Sequence, residues 1–180
     1  MARVILNAGH GGNDPGGIYN RRVEKVDNLR LVLAVGAILS ERGVEVRYLR
    51  TTDNYISPIQ RARAANELGG DLLVDIHRGY PTVSNESGVR AYVFQEGGLA
   101  EDTALIVLDN LSGIGFFNNG IDIRENVYLL RFVELPTFQL VVGYISSVHD
   151  DELFDSEFDA IAGAIADGII ESFRQHGILL

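Results

Sequence analysis

The hydrophobic positions of the chain alternate between two spacings, in an order typical of α/β proteins. Short apolar runs or period-two alternation predict four strands, at 3–8, 44–50, 71–76 and 88–94. Helical spacing with capping and stop residues predicts four helices, namely from Asp27 to Gly43, from Ser57-Pro58 to Gly69-Gly70, over 99–112, and from Asp155 or Ser156 to Gln175. Residues 116–126 are predicted to form a polar loop, followed by strands near 127–131 and 138–145.

This alternation predicts an α/β fold with a mixed, largely parallel twisted sheet and helices on both faces. The 180 residues are expected to form a single domain over 1–180, long enough to bury a core without disulfides. In such sheets, functional groups gather beyond the carboxyl ends of the strands. His10 and His77 each follow a predicted strand directly, so we expect them to meet at that edge.

Composition and charge exclude several classes of function. With no cysteine, the chain has neither a disulfide framework nor a thiolate metal site. A net charge of -10, with Lys25 as the only lysine, argues against nucleic acid and anionic membranes as partners. No run approaches 18 apolar residues, so membrane insertion is not expected. The start of the chain lacks a secretory signal pattern. A monomer is expected.

The segment Asn7-Ala8-Gly9-His10-Gly11-Gly12 carries the clearest chemical signal. Its glycines leave the His10 imidazole exposed, with little bulk around it, which suits a metal ion or a reacting group. A phosphate-binding loop has a different spacing, because Asp14 stands three residues after Gly11 and no Gly-Lys-Ser/Thr follows. The segment therefore indicates a metal or catalytic site.

A third ligand is needed if His10 and His77 hold a metal, and Glu24 is the best candidate. It lies between the glycine-rich loop and the first predicted helix. An acid near a helix N-terminus is also favoured by the helix dipole alone, so this position has a purely structural explanation as well. Two histidines and one glutamate suit Zn²⁺ in a site that leaves one position open for water.

The same residues belong to a longer series of motifs that resembles the zinc-dependent N-acetylmuramoyl-L-alanine amidases, the family-3 catalytic domain of autolysins and phage endolysins. The matching segments, in order, are VILNAGHGGNDPGG, EKVDNL, LRTTD, RARAANELGGDLLVDIH, NVYLLR and LPTFQLVVGYISS. The resemblance implies His10, Glu24 and His77 as zinc ligands. It also implies hydrolysis of the amide between N-acetylmuramic acid and L-alanine, with peptidoglycan as partner and the cell wall or extracellular space as the place of action.

One departure from the family pattern concerns the reaction itself. The family carries a glutamate five residues after the proline of its closing strand, and Val141 stands at that place after Pro136. In the family this carboxylate faces the zinc and handles the proton of the attacking water. Gln139 lies on the same predicted strand face but is no base. Glu134 is a possible, weak substitute on the far side of Pro136.

Two further departures flank predicted ligands. Asn7 replaces the usual aspartate, which removes a charge that we expect behind His10, and Arg78 replaces a small residue after His77. Both are candidate substrate contacts. Arg61 and Arg63 are expected to face solvent or pair with acids, and the acidic stretch 150–159 is expected to be a solvated face.

Three functions are compatible with these residues. The first is a zinc amidase whose activity is weakened by Val141, and the second is an impaired pseudo-amidase that binds zinc and peptidoglycan as a regulatory module. The third is a zinc hydrolase for another amide or ester, with Arg78 reading a substrate carboxylate. Without a signal or wall-binding repeats, the sequence favours a phage-type lysin or a trimmed catalytic domain.

Overall fold

A twisted six-stranded sheet forms the centre of the computed structural model, which describes residues 1–80 and 86–180. The strand order is β4-β1-β5-β8-β6-β7, and a small hairpin, β2-β3, lies outside it. The strands are β1 Arg3–Ala8, β2 Ile18–Tyr19, β3 Arg22–Val23, β4 Glu45–Tyr48, β5 Leu72–Gly79, β6 Val89–Val93, β7 Asn118–Ile123 and β8 Thr137–Tyr144. All neighbouring pairs of the large sheet are parallel except β6-β8. The predicted mixed, largely parallel sheet is confirmed.

Helices cover both faces of the sheet, as predicted. They are α1 Glu24–Glu41, α2 Pro58–Leu68, α3 Gly98–Ile114, α4 Tyr128–Phe132, α5 Val148–Ser156 and α6 Phe158–Gln175. The larger core packs α1, α3 and α6 against one face, and a smaller core packs α2 and α4 against the other. Within the described ranges, none of these helices is both long and apolar enough to cross a membrane.

Period-two alternation decides which side chains lie under the smaller core. Along β5, the even-numbered residues Leu72, Val74 and Ile76 enter the larger core, whereas Leu73 enters the smaller one. The residues that share the face of Leu73 are therefore Asp75 and His77. Helices α2 and α4 cover only part of this face of the sheet. The uncovered part can therefore carry the polar side chains of the site.

Several predicted elements were wrong, each for a local reason. The stretch 116–126 contains β7, whose polarity reflects its position as a half-exposed edge strand. The strand predicted at 127–131 is the helix α4, in which Tyr128 and Phe132 stack at helical spacing with ring centroids 4.4 Å apart. Helix α1 begins at Glu24 instead of Asp27, directly after β3. Finally, α5 precedes the predicted C-terminal helix.

The acidic stretch 150–159 is a solvated face only in part, because Glu152, Asp155, Glu157 and Asp159 are exposed whereas Asp150 and Asp151 are not. Asp150 is fully buried and accepts hydrogen bonds from the backbone N–H groups of Gly88 and Tyr144, each at 2.8 Å. Asp155 binds the guanidinium of Arg22 at 2.8 and 3.0 Å. Asp150 and Asp155 therefore tie α5 to the ends of β6 and β8 and to the β2-β3 hairpin.

The close packing of α3 on α6 gives a test of the fold. A Cβ on Gly168 would lie 2.7 Å from Val107 Cγ2 and 3.1 Å from its backbone, whereas a Cβ on Gly163 would meet nothing within 4 Å. We expect Gly168→Ala to destabilise the protein by about 1–3 kcal/mol through overpacking. Gly163→Ala, on the same helix, is expected to stabilise it by about 0.5–1 kcal/mol. Urea unfolding compares the two, and equal effects would contradict this account of the interface.

Candidate metal centre

His10, Glu24 and His77 meet at the carboxyl ends of β1 and β5. Glu24 lies between the two rings, with its Oε1 2.9 Å from His77 Nδ1 and its Oε2 3.2 Å from His10 Nε2. The rings themselves are edge-on, with centroids 5.0 Å apart. One potential ligand atom from each residue lies within 4.8 Å of the others. The structure thus brings together the three residues that the sequence predicts as ligands.

Glycines allow this close approach, as the sequence indicates. A Cβ on Gly9 would collide with the His77 ring, and one on Gly16 would lie 2.5 Å from Glu24 Oε2 and 2.6 Å from His10 Cδ2. His10 itself has a φ of 62°, a left-handed conformation that is rare outside glycine and is typical of functional sites. The loop is therefore shaped around the three side chains.

Two buried arginines hold this loop from behind. Arg61 donates to the carbonyls of Ala8 and His10, at 2.7 and 2.5 Å. Arg50 donates to the carbonyls of Ala8 and Gly9, both at 2.9 Å. The prediction that Arg61 faces solvent or pairs with acids is wrong, because its side chain satisfies carbonyls that the strained loop leaves without backbone partners.

Neighbouring charges strongly shift the pKa values of the residues in this cluster. Burial alone would lower the pKa of His77, but the carboxylates of Asp75 and Glu24 raise it to about 10. Burial would likewise raise the pKa of Glu24, yet hydrogen bonds from His10 and His77 hold it well below its usual value. In the metal-free protein, the raised pKa of His77 and the lowered pKa of Glu24 favour a charged hydrogen bond between these two side chains.

The donor set fits zinc. Ligand atoms about 2.0–2.2 Å from a tetrahedral zinc lie roughly 3.3 Å from one another, close to the two histidine–glutamate separations found here. Gly17 N–H donates to Glu24 Oε2 at 2.8 Å, and Asp14 Oδ2 lies 2.8 Å from His10 Nδ1. These contacts orient two of the three ligands, as outer partners of zinc sites do.

The sequence matches one protein family along nearly its whole length. The N-acetylmuramoyl-L-alanine amidase family model (Amidase_3) covers residues 4–171. The chain belongs to the N-acetylmuramoyl-L-alanine amidase family. The sporulation-specific N-acetylmuramoyl-L-alanine amidase of Bacillus subtilis (strain 168) is 30% identical in a 180-residue alignment that covers 97% of this chain and 69% of the relative.

Solved amidase structures share the fold as well. The catalytic domain of CwlV, an amidase from Bacillus (Paenibacillus) polymyxa var. colistinus, is 30% identical with a TM-score of 0.86, and the match covers 97% of this chain and 99% of that one. An N-acetylmuramoyl-L-alanine amidase from Clostridium difficile 630 is 26% identical with a TM-score of 0.88, with 97% of both chains covered. The amidase fold therefore extends over nearly the whole of this chain.

Val141, at the place of the amidase glutamate, lies beside the cluster. It is the direct register partner of His77 on β8, and on its other side it pairs with Arg90 of β6. A groove of about 440 Å³ is lined by Val141 together with the three predicted ligands. The structure thus places an apolar side chain where the resemblance implies a carboxylate.

Glu134, the suggested substitute, lies elsewhere. It is exposed and precedes the amino end of β8, where its backbone N–H donates to Asn66 Oδ1 at 2.9 Å. The cluster lies at the opposite end of the strand. The geometry gives Glu134 no access to the predicted ligands.

Arg78 and Asn7 have internal partners in this amidase. The Arg78 side chain is 1% exposed and binds Asp27 at 2.8 Å and Asp151 at 2.7 Å. Asn7 is 1% exposed and donates to Asp75 Oδ1 at 2.6 Å. Substrate contact by either residue stays a prediction that burial disfavours. Asn7 also lies beside Asp75, behind His77, and the charge expected behind His10 is instead supplied by Asp14.

Sequence reasoning missed Asp14 and Asp75. Asp14 follows His10 by four residues inside the glycine-rich segment, and Asp75 is the one charged residue in the apolar stretch Leu72 to Ile76. A charged side chain inside a buried strand is rare unless it is paired. The position of Asp75 in this apolar stretch was therefore a signal that it has a buried partner. Their partners lie on other elements, so the sequence does not show which ligand each one supports.

Proposed function

We propose that this chain is a zinc amidase that cleaves the bond between N-acetylmuramic acid and the L-alanine of the stem peptide in peptidoglycan, at a low rate. The observation that carries the proposal is the gathering of His10, Glu24 and His77 donor atoms within 4.8 Å at one sheet edge. Family membership supports the choice of bond, since this is the amide that the family's name describes. The cell wall is then the place of action.

The three predicted ligands would hold the zinc, with His10 braced by Asp14 and Glu24 by Gly17 N–H. Zinc bound by two histidines and a carboxylate supplies a Lewis acid that polarises a carbonyl and lowers the pKa of water to about 7. The groove beside Val141 opens onto this edge and provides room for a glycan-peptide. Arg50 and Arg61 keep the loop backbone in place while a substrate binds.

The low rate follows from Val141. Its isopropyl group can neither accept the proton of an attacking water nor return it to the departing amine. General acid–base assistance contributes about 10²- to 10⁴-fold in enzymes that use it. The remaining zinc chemistry and positioning would support only slow turnover.

The same residue favours a second candidate, a non-hydrolytic module that binds zinc and peptidoglycan. In that case the groove and the predicted ligands serve recognition alone. The two candidates differ in one product, an intact stem peptide with a new L-alanine amino terminus.

The decisive experiment incubates purified, zinc-loaded protein with isolated peptidoglycan and identifies the released peptides by mass spectrometry. Release of stem peptides that begin with L-alanine supports the amidase. No such product, together with retention of the protein on sedimented cell wall, would instead establish the binding module. Neither product nor retention would contradict both.

Glu24→Gln tests the metal part separately. The substitution keeps the shape of the side chain but removes the charge that bridges the two histidines, so we expect no stoichiometric zinc after dialysis against a zinc buffer that saturates the parent. His176→Ala is the control, because His176 lies at the C-terminal end of α6 and contacts Asp102 instead of a predicted ligand. Metal analysis of both variants checks the result, and equal zinc content would exclude Glu24 as a ligand.

A further inference from the structure

A buried polar network lies directly behind His77, between the strands that form the centre of the sheet. Asp75 occupies its middle, 2% exposed, with Asn7 as its register partner on β1 and Gln139 as its register partner on β8. Asn7 Nδ2 donates to Asp75 Oδ1 at 2.6 Å, and Gln139 Nε2 donates to Asp75 Oδ2 at 2.8 Å. The carboxylate is thus fixed from both neighbouring strands.

Within the described residues, the network meets a ring of the metal cluster at His77. Asp75 Oδ1 lies 3.3 Å from His77 Nε2, and the other ring nitrogen, Nδ1, faces Glu24 at 2.9 Å. The two nitrogens of His77 therefore have different partners, a buried carboxylate on one side and the ligand cluster on the other. A neutral imidazole carries one proton, and the hydrogen bond of one nitrogen decides which nitrogen is free to bind a metal.

Because Asp75 is buried and His77 is half-buried, an acceptor beside Nε2 fixes both the ring orientation and the position of the proton. We propose that Asp75 is a positioning residue for the zinc site: its carboxylate accepts the Nε2–H of His77 and directs the Nδ1 lone pair toward the ion. The proposal rests on the zinc site of the proposed function and concerns affinity for the metal, independently of turnover.

A merely structural role for Asp75 is the competing explanation. Arg61 is also buried, and it donates to Asn7 Oδ1 at 2.5 Å, so a negative charge in the network compensates its guanidinium. A carboxylate at either Asn7 or Asp75 would meet that need. Only a carboxylate at 75 contacts His77, because Asn7 makes its side-chain hydrogen bonds to Asp75 and Arg61.

This difference gives a matched pair of variants. Asp75→Asn keeps the volume but removes the charge, and it turns the group that faces Gln139 into an amide. The double variant Asn7→Asp/Asp75→Asn returns the charge to the network, one strand away from His77 and within reach of Arg61. Thermal unfolding of the metal-free proteins measures the structural effect, and competition with a chromophoric chelator measures zinc affinity.

We expect Asp75→Asn to weaken zinc binding about 10- to 100-fold, the loss typical of outer partners of metal-bound histidines. The double variant is expected to regain the melting temperature of the parent but not its zinc affinity. The visible absorption of the cobalt-substituted protein provides a second readout, and it should change in both variants. If Asp75→Asn does not fold, the double variant carries the test alone.

Two results would overturn the proposal: unchanged zinc affinity in Asp75→Asn, or a double variant whose zinc affinity returns to the parent value. The second result would assign Asp75 to charge compensation of Arg61. Neither result bears on hydrolysis, which is measured separately from released peptides. A parent that fails to bind zinc would contradict the metal site itself.

Discussion

Val141→Glu is expected to raise the rate of peptidoglycan hydrolysis by about 10²- to 10⁴-fold over the parent. The introduced carboxylate would lie next to His77 in register and line the groove that contains the three predicted ligands. There it can accept a proton from the attacking water and return it to the leaving amine. The measurement is the initial rate of stem-peptide release at saturating zinc.

The structure offers a hydrogen-bond partner for this carboxylate. Arg90, on the other side of Val141, has a buried Nε that makes no hydrogen bond to any residue the structure describes. That N–H can donate to a glutamate at 141, which reduces the cost of burying a new charge. Val141→Gln is the matched control, since it has a similar volume but is no base. Equal rates for the two variants would contradict a missing proton acceptor as the cause of slow turnover.

Arg78→Met is expected to lower the free energy of unfolding by about 3 kcal/mol, near the low end for breaking a buried ion pair. The substitution leaves Asp27 and Asp151 without their main cation, and Arg22, which binds Asp27 at 2.6 Å, compensates only in part. For a chain of this length, the loss corresponds to a melting temperature lower by about 6–12 °C. Urea unfolding of the metal-free proteins checks the value.

Arg30→Met is the control for this prediction. Both guanidiniums stack on phenylalanine rings, Arg78 on Phe154 at 4.1 Å and Arg30 on Phe158 at 3.8 Å, but Arg30 is exposed. Loss of an exposed cation–π contact is expected to cost about 0.5–1 kcal/mol. A similar small effect for both would contradict the structural role of Arg78. If Arg78→Met stayed stable and lost binding of acidic substrates, the substrate contact would be established instead.

The sheet and the three-residue cluster could be predicted because both follow from local patterns. Strand periodicity places His10 and His77 at carboxyl ends, and the topology of parallel strands brings such ends together. Glu24 was found through its position between loop and helix. The agreement extends to the glycines, since Gly9 and Gly16 provide the space that the pattern around His10 indicates.

The supporting residues could not be predicted from the same patterns. Asp75 is bound by Asn7 and Gln139, which are 68 and 64 residues away in sequence, and Arg61 by His10, which is 51 residues away. The contacts of Asp75 depend on strand order and register, and the contact of Arg61 depends on where α2 packs against the sheet. The edge strand β7 was missed for the opposite reason, because half-exposed strands need few apolar residues.

Arg50 and Arg61, which hold the glycine-rich loop around His10, affect both the rate and the affinity of metal binding. Ordering a residue costs about 1–2 kcal/mol of conformational entropy, and a loop that became ordered only on metal binding would subtract that cost from affinity. Here the carbonyls of Ala8, Gly9 and His10 accept hydrogen bonds from the side chains of Arg50 and Arg61. Neither arginine is a predicted metal ligand, so these hydrogen bonds do not depend on the metal. The ordering is completed during folding, so metal exchange should proceed with only side-chain motion of the ligands.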